Sequence, residues 1–399
     1  MQVSPRCSIS CITPPHLLKK LLENREKALS EAALSTLLTT THLRGERVVR
    51  ALTATAPPGG SRRTIFDCRR SRILSSARVV RTEGAAAVSD ASVNRAYDGL
   101  GATRDFYKQV LNRNSIDDKG MRLDGYVHFG QRYQNAFWDG QQMVFGDGDG
   151  EVFTDFTLSL DVIGHELTHG VTEFTANLEY HKQSGALNES VSDVFGSLVK
   201  QWSRNQDATQ ADWLIGADLF TPGIDADALR SMKAPGTAYD NSLIGKDPQP
   251  DHMDRYDDLP DDEDGDWGGV HINSGIPNKA FYLTAINIGG YAWNAPGHIW
   301  YESLKASTTT TNFQQFADTT SQKAAQLYGA NSTQQKAVID AWHEVGIHVT
   351  GAPAPSPRPE PGRTSSSKDG ESALELARQL EALAEQLKAL TKDVAALKS

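Results

Sequence analysis

The sequence predicts an α+β protein whose helical part is written most plainly. Residues 161–171 (DVIGHELTHGV) read as one helix. A second helix-like stretch opens with 185–193 (GALNESVSD) and continues through Val194, Phe195, Leu198 and Val199. Far downstream, Ala373, Leu376, Leu380, Leu383, Leu387, Leu390, Val394 and Leu397 alternate by threes and fours, the spacing of a heptad seam. A length of 399 residues leaves room for two or three domains with ample core.

Charge divides the chain. Residues 1–81 carry 15 Lys/Arg against 5 Asp/Glu, and the remainder carries 25 against 45. A basic head on an acidic body suggests that the head docks on the body. Nucleic-acid binding by the head is the competing reading, but neither aromatic interleaving nor a binding motif supports it, so no nucleic-acid partner is expected. Leu17 to Leu38 reads as one amphipathic helix. All three cysteines, Cys7, Cys11 and Cys68, lie in the head, so no disulfide can stabilise the body alone. Pro5 and Arg6 interrupt the first twelve residues, which excludes a secretory apolar core. No stretch is long enough to span a membrane. A precursor made soluble in the cytoplasm is expected, with no membrane partner.

His165-Glu166-Leu167-Thr168-His169 carries the chemistry. Four residues slightly exceed one helical turn, so both imidazoles leave the same face. Two neutral imidazoles there can hold zinc. Glu166 is placed to take a proton from a metal-bound water instead of binding the metal. The bland alternative is a surface helix that carries two histidines by chance. Glu189 and Asp193, one turn apart on the next helix, weigh against it. A His165, His169 and Glu189 set leaves the fourth tetrahedral position for water. Asp193 is then expected to accept a ligand imidazole's N–H, and Asn188 to stand behind the ligands with it.

These strings resemble the thermolysin-like metallopeptidases, as do Asn135–Gly140 (NAFWDG), Met143–Gly150 (MVFGDGDG) and Gly268–Gly275 (GGVHINSG). The resemblance covers roughly residues 95–349 and is nearest to the protealysin-type branch, which has a short N-terminal prosegment. It implies a zinc endopeptidase with Glu166 as general base and proton shuttle. His271 would stabilise the oxyanion, oriented by Asp266, with Tyr180 as a second donor. Arg230 would hold a substrate carbonyl. Asn135 and Ala136 would pair with the substrate backbone by strand addition. Phe153, Phe156, Val162, Ile215, Leu219 and Leu229 would line an apolar pocket for the residue after the cleaved bond. Cleavage on the N-terminal side of hydrophobic residues follows. A catalytically silent binding protein on the same fold is the alternative, and intact Glu166 and His271 argue against it.

The chain departs from that family in two places. Relatives build a double calcium site from carboxylates, of which Asp161 and Asp212 remain. The other positions hold Lys200, Leu214 and Ala217. Calcium wants six to eight oxygens, so the double site is expected to be lost, with Lys200 pairing Asp161 or Asp212. A weaker calcium site is retained in pattern around Thr221, Ile224 and Asp227. The second departure is the acidic stretch 247–266 (DPQPDHMDRYDDLPDDEDGD), read as a solvated loop; a cation site or a selector for basic substrates is the alternative.

In the head, Arg6–Ile9 (RCSI) and Ile12–Leu18 (ITPPHLL) resemble the branch's prosegment. Cys7 has the chemistry to ligate zinc as a thiolate in a latent form, set against an ordinary reduced thiol. The processing junction is expected near residue 81, after a basic and apolar stretch. The resulting plan is a prosegment (1–81) acting as inhibitor, a β-rich lobe (82–179) and a helical lobe (180–349). A Pro/Gly/Ser-rich linker (350–370) and a coiled-coil helix (371–399) that self-associates complete it. Relatives act outside the cell, so the mature enzyme is expected to be secreted by a non-classical route.

Overall fold

The structure is a computed structural model that describes residues 10–51 and 62–350. The expected coiled coil, nearly all of the linker, and Cys7 lie outside the described residues. In the head, β1 (Ser10–Cys11) leads to α1 (Pro15–Leu22) and α2 (Lys27–Ala51). One amphipathic helix was expected over Leu17–Leu38, and two are found. The reason is local. The Asn24 side chain accepts the Glu26 N–H at 2.8 Å, offering the backbone a turn in place of helix. Leu17, Leu18 and Leu21 of α1 are buried.

The body opens with β2 (Arg63–Asp67) and β3 (Arg78–Thr82), then α3 (Ala91–Leu111). The Asp90 side chain accepts the N–H groups of Ser92 and Val93 and so caps α3, and left-handed Asn112 ends it. β4 (Leu123–Val127), β5 (Ala136–Trp138) and β6 (Met143–Phe145) follow. The six strands order as β1-β5-β6-β4-β2-β3. β2 runs parallel to β4, and β1 is added antiparallel to β5. Residues 63–81, expected to belong to the head, thus supply β2 and nearly all of β3 to the sheet of the body. The basic and apolar alternation near residue 81 is in part the two-faced pattern of strand β3, where Arg78 and Val79 are exposed and Arg81 is buried. The fold's own break between head and body falls before Arg63, and loss of residues 1–81 would take β2 and most of β3 out of the sheet along with β1.

Behind the sheet lies α4 (Leu160–Glu173), buried without a break from Asp161 to Thr172. α5 (Lys182–Arg204) packs on it. Their approach is closer than side chains allow: a Cβ on Gly196 would meet the Asp161 carbonyl at 2.3 Å, and one on Gly164 would meet the Gly196 Cα at 3.0 Å. Two glycines therefore set how near Glu189 comes to the helix that carries the histidines. A short pair, β7 (Leu214–Ile215) and β8 (Arg230–Ser231), and a hairpin, β9 (Asp240–Asn241) and β10 (Gly245–Lys246), precede the remaining helices. These are α6 (Asp266–Asn273), α7 (Gly275–Ile288), α8 (Ala295–Ala306), α9 (Phe313–Tyr328) and α10 (Thr333–Glu344). Trp300 and Trp342 stack at 6.1 Å in the core of this helical half. The β-rich first half and helical second half match the α+β expectation.

One polar contact ties the capped end of α3 to the sheet. His128 bonds Asp147 through Nδ1 at 2.7 Å and Asp90 through Nε2 at 2.9 Å. The bond to Asp147 is the largest influence; burial opposes it, but with Asp90 the imidazole is held up to about 9. A folded-state value raised from 6.5 means that this contribution is complete below about 6.5 and is lost as pH climbs through about 9. Replacing His128 by Gln should remove on the order of 2 kcal/mol at pH 6, after allowance for solvent screening, and much less at pH 9.5. Thermal melts of both proteins across that range check it; a constant difference would be contrary.

Candidate active site

α4 and α5 build the centre between them. His165 and His169 of α4 and Glu189 of α5 are buried, and their ligand atoms all lie within 4.8 Å of one another. His165 Nε2 is 3.5 Å from Glu189 Oε2, and His169 Nε2 is 3.4 Å from Oε1. Each ring is held from behind. His165 Nδ1 donates to Asp193 Oδ1 at 2.8 Å, and His169 Nδ1 donates to Asn188 Oδ1 at 2.8 Å. Asn188 is oriented by its own donation to the Leu178 carbonyl. With both protons on Nδ1, the two Nε2 lone pairs face each other at 3.0 Å. Glu189 Oε2, buried beside them, has no hydrogen-bond partner among the described residues. A converging set of acceptors of this kind calls for a cation, and His, His and Glu suit zinc. Burial keeps the His169 ring neutral, down to about 3.

Glu166 sits apart from that set. Its Oε2 accepts the Trp138 backbone N–H at 3.0 Å, while Oε1 is buried without a hydrogen-bond partner among the described residues. Burial first, and the Glu189 charge second, push its carboxyl well above the usual range. A carboxylate so placed can take and return a proton.

His271 closes the site from the helical half. Asp266 takes both its Nδ1 at 2.7 Å and its backbone N–H at 2.8 Å. Burial would lower the imidazole, but Asp266 and Glu189 outweigh it and hold it up to about 9. The Tyr180 hydroxyl lies 3.3 Å from His271 Nε2 and donates to Glu189 Oε1. Arg230 on β8 grips Asp193 with Nε and Nη2, both at 2.8 Å.

The head occupies the cleft between these groups. Cys11 O faces His271 Nε2, Ile12 O accepts from Arg230 Nη1, and Thr13 N donates to Asn135 Oδ1. α2 crosses the rim, with Thr36 Oγ1 accepting the Gln134 N–H and Thr40 bonding the Tyr133 hydroxyl. Arg44 and Thr41 both donate to Glu263, and Lys19 donates to Asp264. The acidic stretch is therefore not simply solvated: part of it receives the basic head. Asp247 is folded inward, accepting the N–H groups of Gly236, Ala238 and Gln249.

The expected apolar residues Phe153, Phe156, Val162, Ile215, Leu219 and Leu229 are all buried in one cluster that also contains Ile12. Leu219 and Leu229 flank Gly216 beside Ile215, and Phe153 stacks on Phe220 at 5.3 Å. Three contributors were not singled out from the sequence. Asn278 donates to Asp193, Gln249 donates to the His271 carbonyl, and Trp138 serves Glu166 through its backbone. A backbone donor carries no side-chain signature. Asn278 and Gln249 lie far along the chain from their partners.

Lys200 reaches the place where a cation was expected to be replaced. Its ammonium bonds Asp161 at 2.8 Å, Asp212 at 3.0 Å and the Leu214 carbonyl at 2.9 Å. Burial works against the charge, but the two aspartates outweigh it and raise the Lys200 value. Around Thr221, Ile224 and Asp227 the Thr221 hydroxyl donates across the fold to the Glu151 carbonyl, and Ile224 N donates to Thr221 O in a local turn.

Comparison with known proteins agrees with this geometry. Residues 64–173 match the family model for the thermolysin metallopeptidase catalytic domain, and residues 176–347 match that for its alpha-helical domain. An extracellular metalloprotease of Pectobacterium carotovorum subsp. carotovorum is 47% identical over 352 residues, covering 88% of this chain and 99% of that protein. Thermolysin of Alicyclobacillus acidocaldarius subsp. acidocaldarius is 42% identical over 268 residues, covering 65% of this chain and 46% of that protein. Among solved structures, the precursor of protealysin from Serratia proteamaculans aligns with a TM-score of 0.76 at 48% identity, covering 85% of this chain and 99% of that one.

The Lys200 contact has a measurable consequence. Lys200→Met leaves Asp161 buried and unpaired, so it should destabilise the folded protein by about 3–5 kcal/mol. Urea denaturation measures this; a loss of under about 1 kcal/mol would place Lys200 among ordinary surface pairs.

Proposed function

The chain belongs to the thermolysin metallopeptidase family and is a zinc metalloendopeptidase, and from that premise we propose that it is made as a latent precursor and cuts on the N-terminal side of hydrophobic residues. The observation that carries the reading is the convergence of His165, His169 and Glu189 beside a separate buried carboxylate, Glu166. Held by those three residues, zinc supplies a Lewis acid and an acidified water.

The remaining work falls to the protein's own groups. Glu166, anchored through one oxygen by Trp138 N–H, takes the proton of the attacking water on the other and passes it to the leaving nitrogen. His271 stays protonated beside Asp266 and, with the Tyr180 hydroxyl, donates to the carbonyl oxygen as negative charge develops there. Arg230 is fixed by Asp193 and fastens the carbonyl of the residue after the cut. Asn135 and Ala136 pair with the substrate backbone at the sheet edge. Ile215, Leu219, Leu229 and Val162 receive an apolar side chain, with Phe153 and Phe156 packed behind.

Latency is supported by β1 lying in the cleft. The removable part of the head ends before β2, because β2 and β3 belong to the body's sheet. Lys200 takes over the double calcium site, and a weaker calcium site near Thr221, Ile224 and Asp227 completes the reading. Secretion is supported by the extracellular relative. Self-association through residues 371–399 is the remaining partner.

Glu166→Gln should bind zinc as the parent does yet lose at least about 10³-fold in kcat on a casein or peptide substrate. Metal analysis and turnover, with a chelator-treated parent as control, measure both. Retained turnover in the variant would remove Glu166 from its role.

A further inference from the structure

The head does more than cover the cleft, because its register is that of a substrate. β1 runs antiparallel to β5, with Cys11 opposite Phe137. The Cys11 carbonyl oxygen accepts from His271 Nε2 at 3.0 Å. The Ile12 N–H donates to the Ala136 carbonyl at 3.3 Å and also lies within hydrogen-bonding reach of the Glu166 carboxyl. The Ile12 carbonyl accepts from Arg230 Nη1 at 3.2 Å. Thr13 N–H donates to Asn135 Oδ1 at 3.0 Å, and its hydroxyl donates to the Gln134 carbonyl at 2.9 Å. The carbonyl at the oxyanion donor and the N–H at the proton shuttle belong to one peptide group.

We propose that Cys11–Ile12 is itself a substrate bond of this enzyme, hydrolysed by the precursor within its own cleft. The proposal rests on the peptidase reading above. The water oxygen bonds to the Cys11 carbonyl carbon, the Cys11–Ile12 C–N bond breaks, and Glu166 delivers the water's proton to the Ile12 nitrogen. The products are a Cys11 carboxylate and an Ile12 amine. The side chain after the cut is apolar and fully buried, as are Val162, Ile215, Leu219 and Leu229, which suits the apolar preference proposed above. The cut separates β1 from α1 but leaves the rest of the head attached through His16–Tyr239, Lys19–Asp264 and Arg44–Glu263. Nicking and release of the head are therefore two events, and the first precedes the second.

Full-length precursor incubated with zinc, followed by intact mass and N-terminal sequencing, tests this. The expected products are a fragment of residues 1–11 and a complementary chain beginning at Ile12, formed at a rate unchanged across a dilution series. Glu166→Gln, shown folded by its melt and zinc content, should give neither. Ile12→Asp, which puts a charge into the apolar cluster, should lose this cut while the body still digests an external hydrophobic peptide once trypsin has removed the head. A wild-type protein that digests that peptide while Cys11–Ile12 stays intact in every species would overturn the proposal and leave the peptidase reading standing. A rate that falls in proportion to dilution would overturn cleavage within one molecule. Failure to digest the external peptide at all, in protein freed of its head, would remove the peptidase reading and this proposal with it.

Discussion

Asp193 is the carboxylate on which the site depends. It is fully buried, and it accepts from His165 Nδ1, from Arg230 Nε and Nη2, and from Asn278 Nδ2. Burial alone would raise its carboxyl, but Arg230 and His165 outweigh that and hold it well below the usual range. One charge thus fixes the His165 imidazole on α4, the Arg230 guanidinium on β8 and the Asn278 amide on α7. A buried ion pair gains little for stability in itself, because desolvation offsets attraction. What this one gives is position. It fixes the tautomer of His165, sending the Nε2 lone pair inward, and holds the planar Arg230 fork so that one nitrogen remains for the Ile12 carbonyl. The close α4–α5 contact at Gly164 and Gly196 is what lets a residue of α5 reach a histidine of α4 at all.

The same logic of paired surfaces explains the divided charge of the chain. Charged and backbone contacts join the basic head to the body: α1 through Lys19 to Asp264, α2 through Arg44 and Thr41 to Glu263, and β1 along the edge of β5. Lys19 and Asp264 are exposed, so that pair contributes little. Arg44 is mostly enclosed, and its guanidinium also feels the Cys11 and Tyr180 groups, so it belongs to the cleft and not the rim. The strand contact supplies backbone hydrogen bonds that any extended peptide could make; the charged contacts supply the selectivity for this head. The acidic stretch therefore has a structural counterpart in the chain's own basic segment.

Much of the centre was legible because its residues are close in sequence and obey helical period. His165 and His169 are four residues apart, as are Glu189 and Asp193, so spacing alone places each pair on one helix face. Lys200 was legible by chemistry, since an ammonium among leftover carboxylates has one sensible place. The errors fell where period and composition mislead. Leu17 to Leu38 keeps an apolar rhythm across a turn that Asn24 forms with its own neighbour. Strand β3 carries arginines on both sides, one exposed and one buried over the Tyr97 ring, so it resembled a basic processing segment. Asn278 and Gln249 reach the site through tertiary folding, for which no local pattern exists.

The last positional problem is solved by backbone conformation. Asp266 must bond both the backbone N–H and Nδ1 of His271, five residues on. A regular right-handed helix places such residues on different faces. The chain meets the requirement with four successive left-handed residues, Asp266, Trp267, Gly268 and Gly269, before right-handed helix resumes. The Gly269 N–H closes this turn on the Gly265 carbonyl at 2.9 Å. For Asp266 and Trp267 the left-handed region costs roughly 1–2 kcal/mol each, and for glycine almost nothing. Gly268 has a second reason, since a Cβ there would come within 3.2 Å of the Lys182 backbone at the start of α5. The paired glycines before Val270-His271 are thus needed for the turn and for the approach of α5. The strain at Asp266 and Trp267 is maintained because the same turn delivers the carboxylate that keeps the His271 imidazole charged and aimed at the cleft.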